Sequence, residues 1–153
     1  MTAPINFASA SPRFSLPLLF PGQAQKEFFV NEAHALTDAL LHPYIEGESD
    51  APPASPAEGQ AWIVGAAASA EWADNAGDLA LRQSGNWLFC TPQRGMTVFD
   101  GTAGCTARFD GNGWRRASAV AAPQAGTNAD AEARTAITGL ISALVEAGIL
   151  PLS

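Results

Sequence analysis

The sequence has 153 residues, of which 47% are apolar and 15% are charged, and its net charge at pH 7 is −7. This length suits one domain with a buried core, and the low charge content indicates either that partner subunits cover part of the surface or that the coding is biased towards alanine. Lys26 is the single lysine and Arg115-Arg116 the single basic pair, which excludes a nucleic-acid partner, because such partners need clustered cations to neutralise phosphates.

The N-terminal part of the sequence predicts an extended leader and then a helix. Prolines spread through residues 1–21 prevent continuous helix there. The apolar runs are too short for a membrane span, and the segment lacks the pattern of a signal peptide, so we expect neither. Residues 22–42 carry apolar side chains at intervals of four, three and four residues, which predicts an amphipathic helix that ends at His42-Pro43.

The middle of the chain predicts a linker and then a compact β-module. Residues 43–60 are rich in proline, acidic residues and small side chains, a composition typical of a linker. Residues 61–119 contain short apolar runs separated by turn signals such as Asp110-Gly111-Asn112-Gly113. This pattern favours a small antiparallel sandwich or barrel. The predicted strands are 61–65, 78–83, 86–91, 96–100, 106–109 and 114–117.

The C-terminal part predicts a second linker over residues 120–128 and a helix over residues 129–150. Asn128 or Asp130 can cap the beginning of this helix by accepting backbone N–H bonds. Gly148 fits the left-handed position that follows the last helical turn.

This last helix carries a heptad-like apolar seam. Its positions are spaced by four, three, four and three residues from Ala133 to Ala147. Two interpretations are open: the seam packs on its own β-module, or it forms a homo-oligomeric bundle. The preceding linker favours the bundle, with a trimer preferred. The predicted oligomerisation residues are Ala133, Ile137, Leu140, Ile141, Leu144 and Val145.

The β-module is rich in tryptophan. Each indole is expected to anchor a core, although indole faces also stack on sugar rings, so one or more are candidates for an exposed site. Trp72 is the first candidate, because its flanking residues are typical of a loop. The predicted carbohydrate-binding residues are Trp72, Trp87 and Trp114.

Motifs for chemistry are not found. His34 and His42 lack the spacing of a zinc pair, no nucleophile elbow or phosphate loop occurs, and we predict neither enzymatic activity nor a cofactor or metal. Cys90 and Cys105 are expected to be reduced, buried thiols, with a structural disulfide as the alternative.

One stretch of the sequence resembles a known family. Leu16-Pro17-Leu18-Leu19, Gly22-Gln23-Ala24-Gln25-Lys26 and Asn31-Glu32-Ala33 are similar to motifs of a domain of unknown function found in alphaproteobacterial phages and gene transfer agents. The resemblance covers about residues 12–114. Residues 130–150 resemble the ending of phage tail proteins, although Ala147 replaces the usual histidine.

The resemblance implies a virion protein that is made in the bacterial cytoplasm. The sequence patterns described above predict an α+β chain with an N-terminal amphipathic helix, a small antiparallel β-module and a C-terminal oligomerisation helix. Its expected role is a structural or attachment component of a phage-like particle, such as a tail fibre, spike or baseplate piece. The expected partners are copies of itself, other virion proteins and a bacterial surface polysaccharide. The alternatives are an assembly adaptor without a glycan ligand and a cell-wall- or capsule-degrading enzyme fragment, which would need two converging carboxylates.

Overall fold

The fold comes from a computed structural model, which describes residues 19, 22, 26–124 and 130–151. Most of the predicted leader and the candidate cap Asn128 lie outside the described residues, as do residues 125–128 of the second predicted linker. The elements in chain order are α1 (Lys26–Leu41), β1 (Tyr44–Ile45), β2 (Glu48–Ser49), β3 (Ala61–Val64), a short 3-10 turn (Ala70–Trp72), β4 (Leu79–Gln83), β5 (Asn86–Cys90), β6 (Thr97–Asp100), β7 (Cys105–Phe109), β8 (Trp114–Arg116) and α2 (Ala131–Glu146).

Within the described residues, the strands form two four-stranded sheets. Sheet I has the order β2-β3-β4-β5, and sheet II has the order β1-β6-β7-β8. In each sheet a two-residue strand pairs in parallel with the first strand of a three-stranded antiparallel meander. With a helix before and after the sheets, the predicted α+β class and order of elements are confirmed.

The six strands that the alternating pattern predicted are present, each within one residue of the predicted bounds. The β4–β5 hairpin turns through Ser84 and Gly85, whose φ angles of 51° and 74° match the twist that two-residue hairpins require. In the β7–β8 turn, the Asp110 carboxylate accepts hydrogen bonds from the backbone N–H groups of Asn112 and Gly113, at 2.8 and 3.0 Å. The hydrogen bond from the Arg115 side chain, together with these backbone bonds, lowers the pKa of Asp110.

The interpretation of residues 43–60 as a linker is wrong. This segment supplies β1 to sheet II and then β2 to sheet I, so it joins the two sheets along one edge. The Phe99 N–H donates to the Pro43 carbonyl at 2.8 Å, and the Ile63 N–H donates to the Gly47 carbonyl at 3.0 Å. Edge strands of this kind are held by backbone pairing, which a composition poor in large apolar residues does not reveal.

The main core lies between the two sheets and beneath α1. Inward positions of both sheets alternate with outward ones, as the two-residue period of a strand requires. α1 closes the core by inserting Leu36, which is 5% exposed, and this burial contributes about 1.5–3 kcal/mol. The buried members of the core are Leu36, Ile45, Ala61, Ile63, Leu79, Leu81, Cys90, Val98 and Ala107.

Candidate functional site

The predicted seam of α2 is only partly covered in the single chain. No residue of this 16-residue helix is buried. Leu140 is 61% exposed and Ile137 is 47% exposed, while Ala133 is also exposed. The other predicted members, Ile141, Leu144 and Val145, are half-buried. All six side chains share one side of the helix and retain surface for a partner.

The two ends of α2 are built as the sequence predicted. The Asp130 carboxylate caps the beginning by accepting a hydrogen bond from the Ala133 N–H at 2.9 Å. At the other end Gly148 has a φ of 68°. The Gly148 N–H donates to the Val145 carbonyl and the Ile149 N–H donates to the Leu144 carbonyl, which is the Schellman arrangement.

The C-terminal end of α2 is held on sheet II. The Thr106 N–H of β7 donates to the Gly148 carbonyl at 2.8 Å. A methyl group on Gly148 would lie 2.9 Å from the Phe99 ring, so glycine is required here for close approach as well as for its left-handed backbone. Leu150, which follows the turn, is 8% exposed. The helix is therefore anchored at its last turn while its seam remains accessible.

The expectation that Trp72 is exposed is wrong. Trp72 is 0% exposed and packs on the outer face of sheet I above Ala80, which is also 0% exposed. Its ring centroid lies 5.0 Å from that of Trp87 and 6.2 Å from that of Trp62. The small Ala80 side chain leaves the space that the indole fills. Trp72 anchors a second, smaller core, and its ring is not accessible to a sugar.

Trp87 keeps part of its surface accessible. Its indole N–H donates to the Glu71 carboxylate at 3.0 Å, and the Arg82 guanidinium lies 5.2 Å from the ring centroid. Trp62 lies beside it, with the rings edge to face at 5.8 Å. Sequence reasoning did not select Trp62, although its place next to Trp72 and Trp87 follows from the β3–β4–β5 order. Both half-buried rings are already engaged by their neighbours.

Trp114 lines an open groove of about 250 Å³ between the loops of the two sheets. Its indole N–H donates to the Gly77 carbonyl at 2.9 Å, which fixes one edge of the ring. Asn112 and Glu48 also line the groove, so an aromatic ring, an amide and a carboxylate converge there. Of the three predicted carbohydrate-binding tryptophans, Trp114 is the one that lines this groove.

The Glu48 carboxylate at this groove belongs to an ion-pair network. Arg116 on β8 donates to Glu48 at 2.9 Å and to Asp100 on β6 at 2.7 Å. The Asp100 side chain is 3% exposed and also accepts from the Thr102 and Ala103 N–H groups. Burial alone would lower the pKa of Arg116, but the Glu48 and Asp100 carboxylates raise it above its usual value. The network ties sheet II to β2 of sheet I, and no sequence motif indicated it.

The thiols are placed as predicted. Cys90 and Cys105 are both free and buried. Burial, with a contribution from Asp78, raises the pKa of Cys90 to about 11, so its reactive thiolate form is suppressed. His34 and His42 are exposed. Among residues 26–124 and 130–151, no group of three or more His, Cys, Asp or Glu side chains could hold a metal ion.

The comparison with protein families identifies a match to the middle of the chain. The family described as "Protein of unknown function (DUF2793)" matches residues 30–115, more than half of the chain. The chain belongs to this family. The DUF2793 region covers most of α1, the segment that joins the sheets and nearly all of both sheets, whereas α2 lies outside it. No curated protein matches the chain. In the described part of this DUF2793 protein, no helix is long and apolar enough to cross a membrane.

Proposed function

We propose that this protein is a homo-oligomeric structural component, with a trimer favoured, that assembles through α2 and presents its DUF2793 region outward. The observation that carries the proposal is that α2 leaves Ile137 and Leu140 of its apolar seam exposed while its last turn is anchored on sheet II. Isolated helices of this length are marginal in water, so the seam needs cover. The likeness of the sequence to phage and gene-transfer-agent proteins supports a place in a phage-like particle, as a tail fibre, spike or baseplate piece.

The experiment is sedimentation equilibrium on the full chain and on two glutamate variants of α2. Leu140→Glu places a charge in the seam, where an oligomer would bury it without a partner at a cost of several kcal/mol. Ser142→Glu is the matched control, because position 142 is exposed and lies two residues away on the opposite side of the helix. We expect Leu140→Glu to be monomeric and Ser142→Glu to associate like the unmodified chain. Equal association of both variants would refute the seam as the interface.

We also propose that the groove at Trp114 is where this component binds a bacterial surface polysaccharide. Aromatic faces stack on sugar rings, and the Asn112 amide and Glu48 carboxylate supply hydrogen-bonding groups beside the ring. Several linked copies would make weak individual sites useful through avidity. Glu48 is paired with Arg116, an arrangement that suits recognition. The two-carboxylate geometry of a glycosidase is not formed by the residues that line this groove.

A glycan array with two arginine variants tests this binding. Ala66→Arg adds a long side chain at an exposed position that lines the groove, and Ala57→Arg makes the same change at an exposed position elsewhere. Binding by the unmodified chain and the Ala57 variant, with loss in the Ala66 variant, is the expected result. If no glycan binds the unmodified oligomer, the adaptor without a glycan ligand replaces the attachment role.

A further inference from the structure

An exposed apolar patch lies on sheet II at the anchored end of α2. It is formed by Tyr44 on β1, Phe99 on β6 and Ile149 in the turn after α2, which are 44%, 40% and 52% exposed. Tyr44 and Phe99 are direct partners in the β1–β6 pairing, and their rings stack at a centroid distance of 6.2 Å with an interplanar angle of 18°. Gly148 lies close to the Phe99 ring, and Ile149 is the next residue in the chain. These three residues are called the base patch.

The base patch differs from the rest of the outward face of sheet II. The other exposed positions on this face are polar or charged, namely Thr97, Thr106, Arg108 and Arg115. Isolated apolar side chains on a surface are ordinary, but an aromatic pair and an isoleucine placed together are typical of the centre of an interface. The polar surroundings resemble the rim that such a centre requires.

The position of the base patch indicates a second copy of this chain as its occupant. The hydrogen bond between Thr106 and Gly148 and the contact between Gly148 and Phe99 fix the last turn of α2 against the patch. When α2 helices associate side by side in parallel, their anchored ends meet, and the base patches of neighbouring subunits are brought to the same level. The patch therefore lies next to the turn that follows the last residues of the seam.

The size of the seam supports the same occupant. The six side chains predicted to form the seam run from Ala133 to Val145, a length of about 18 Å along the helix. A stable interface usually buries about 800 Å² per subunit and involves roughly 20–30 residues on each side. Burial of an aromatic side chain adds about 150–250 Å². Tyr44 and Phe99 can extend the interface beyond the helix.

We infer that the base patch packs against the neighbouring copy, so that the homo-oligomer interface includes sheet II as well as α2. This inference rests on the proposed association through α2. In such an assembly the orientation of each DUF2793 region is fixed, because the region contacts its neighbour at the anchored end of the α2 bundle as well as being joined to α2.

Tyr44 provides the test, because it is the single tyrosine of the chain. Tetranitromethane nitrates accessible tyrosine rings, and peptide mass spectrometry measures the extent at Tyr44. The full chain is compared with the Leu140→Glu variant, with N-acetyl-tyrosinamide in each tube as an internal standard. We expect nitration of Tyr44 to be several-fold slower in the assembled full chain than in the variant. Dilution of the full chain below its dissociation concentration should restore the faster rate without any substitution.

Sedimentation of two further variants gives an independent measurement. Tyr44→Gln should raise the dissociation constant by roughly tenfold or more, as expected for an aromatic residue at an interface centre. Thr97→Gln, on the same face but outside the base patch, should leave the constant unchanged. A full chain that stays monomeric overturns both the association and this inference. An oligomer in which Tyr44 is nitrated as fast as in the Leu140→Glu variant overturns this inference alone.

Discussion

Replacement of Trp72 by alanine should be the most destabilising single change on the outer face of sheet I. The side chain is 0% exposed and fills the space between Trp62, Trp87 and Ala80. Truncation of a buried tryptophan usually costs about 3–5 kcal/mol through lost burial and a residual cavity. The buried Trp72 indole N–H has no hydrogen-bond partner among the described residues. Removing this unpaired donor stabilises the folded chain by about 1–3 kcal/mol, which offsets part of the loss. We therefore expect a net loss of about 2 kcal/mol.

The assay is urea unfolding followed by circular dichroism, performed in the Leu140→Glu background so that association does not contribute to the measured stability. Trp72→Phe should lower the free energy of unfolding much less, because an aromatic ring still fills most of the space and the unpaired N–H is removed. Glu71→Gln is the neighbouring control; its amide oxygen can still accept from Trp87, and it should change stability by less than about 0.5 kcal/mol. An alanine variant as stable as its parent would refute the buried role of Trp72.

Three further changes test other parts of the fold. Ala70→Gly should stabilise the chain by about 1 kcal/mol or less, measured by the urea midpoint, because Ala70 has a left-handed φ of 53°. Arg116→Met should lower the free energy of unfolding by about 3–5 kcal/mol, because it leaves the buried Asp100 carboxylate without its ion-pair partner. Glu48→Gln, at the exposed end of the network, should lower it by less than about 1 kcal/mol. Equal losses in the two variants would contradict the network. Because the pKa of Cys90 is raised to about 11, the folded state holds the thiol proton more tightly than the unfolded state. The free energy of unfolding should therefore fall as the pH rises from about 9 towards 11. In the Cys90→Ala variant, this contribution to the pH dependence of stability should be absent.

Local patterns predicted the regular elements well, because each depends on nearby residues. The spacing of apolar residues located α1 and α2, and the alternation with turn signals located the strands from Ala61 to Arg116. Asp130 and Gly148 marked the ends of α2 because capping depends on single side chains and on one backbone angle. Two free, buried thiols also followed from composition.

The errors arose where distant contacts decide the structure. Residues 43–60 looked like a linker because their side chains are small and acidic, but their backbone groups complete both sheets. The flanks of Trp72 looked like an exposed loop, but that loop folds back over Ala80 and buries the indole. The groove at Trp114 and the pairing of Arg116 with Glu48 and Asp100 join residues far apart in sequence. No spacing in the sequence reports such contacts.

The oligomeric state in solution tests whether the partly exposed seam of α2 is an interface between copies of this chain. Light scattering coupled to size-exclusion chromatography measures the mass of the unmodified chain directly. We expect a mass that is a whole-number multiple of the 15.9 kDa chain mass, three being favoured, and that decreases on dilution. A mass of 15.9 kDa at every concentration would contradict it.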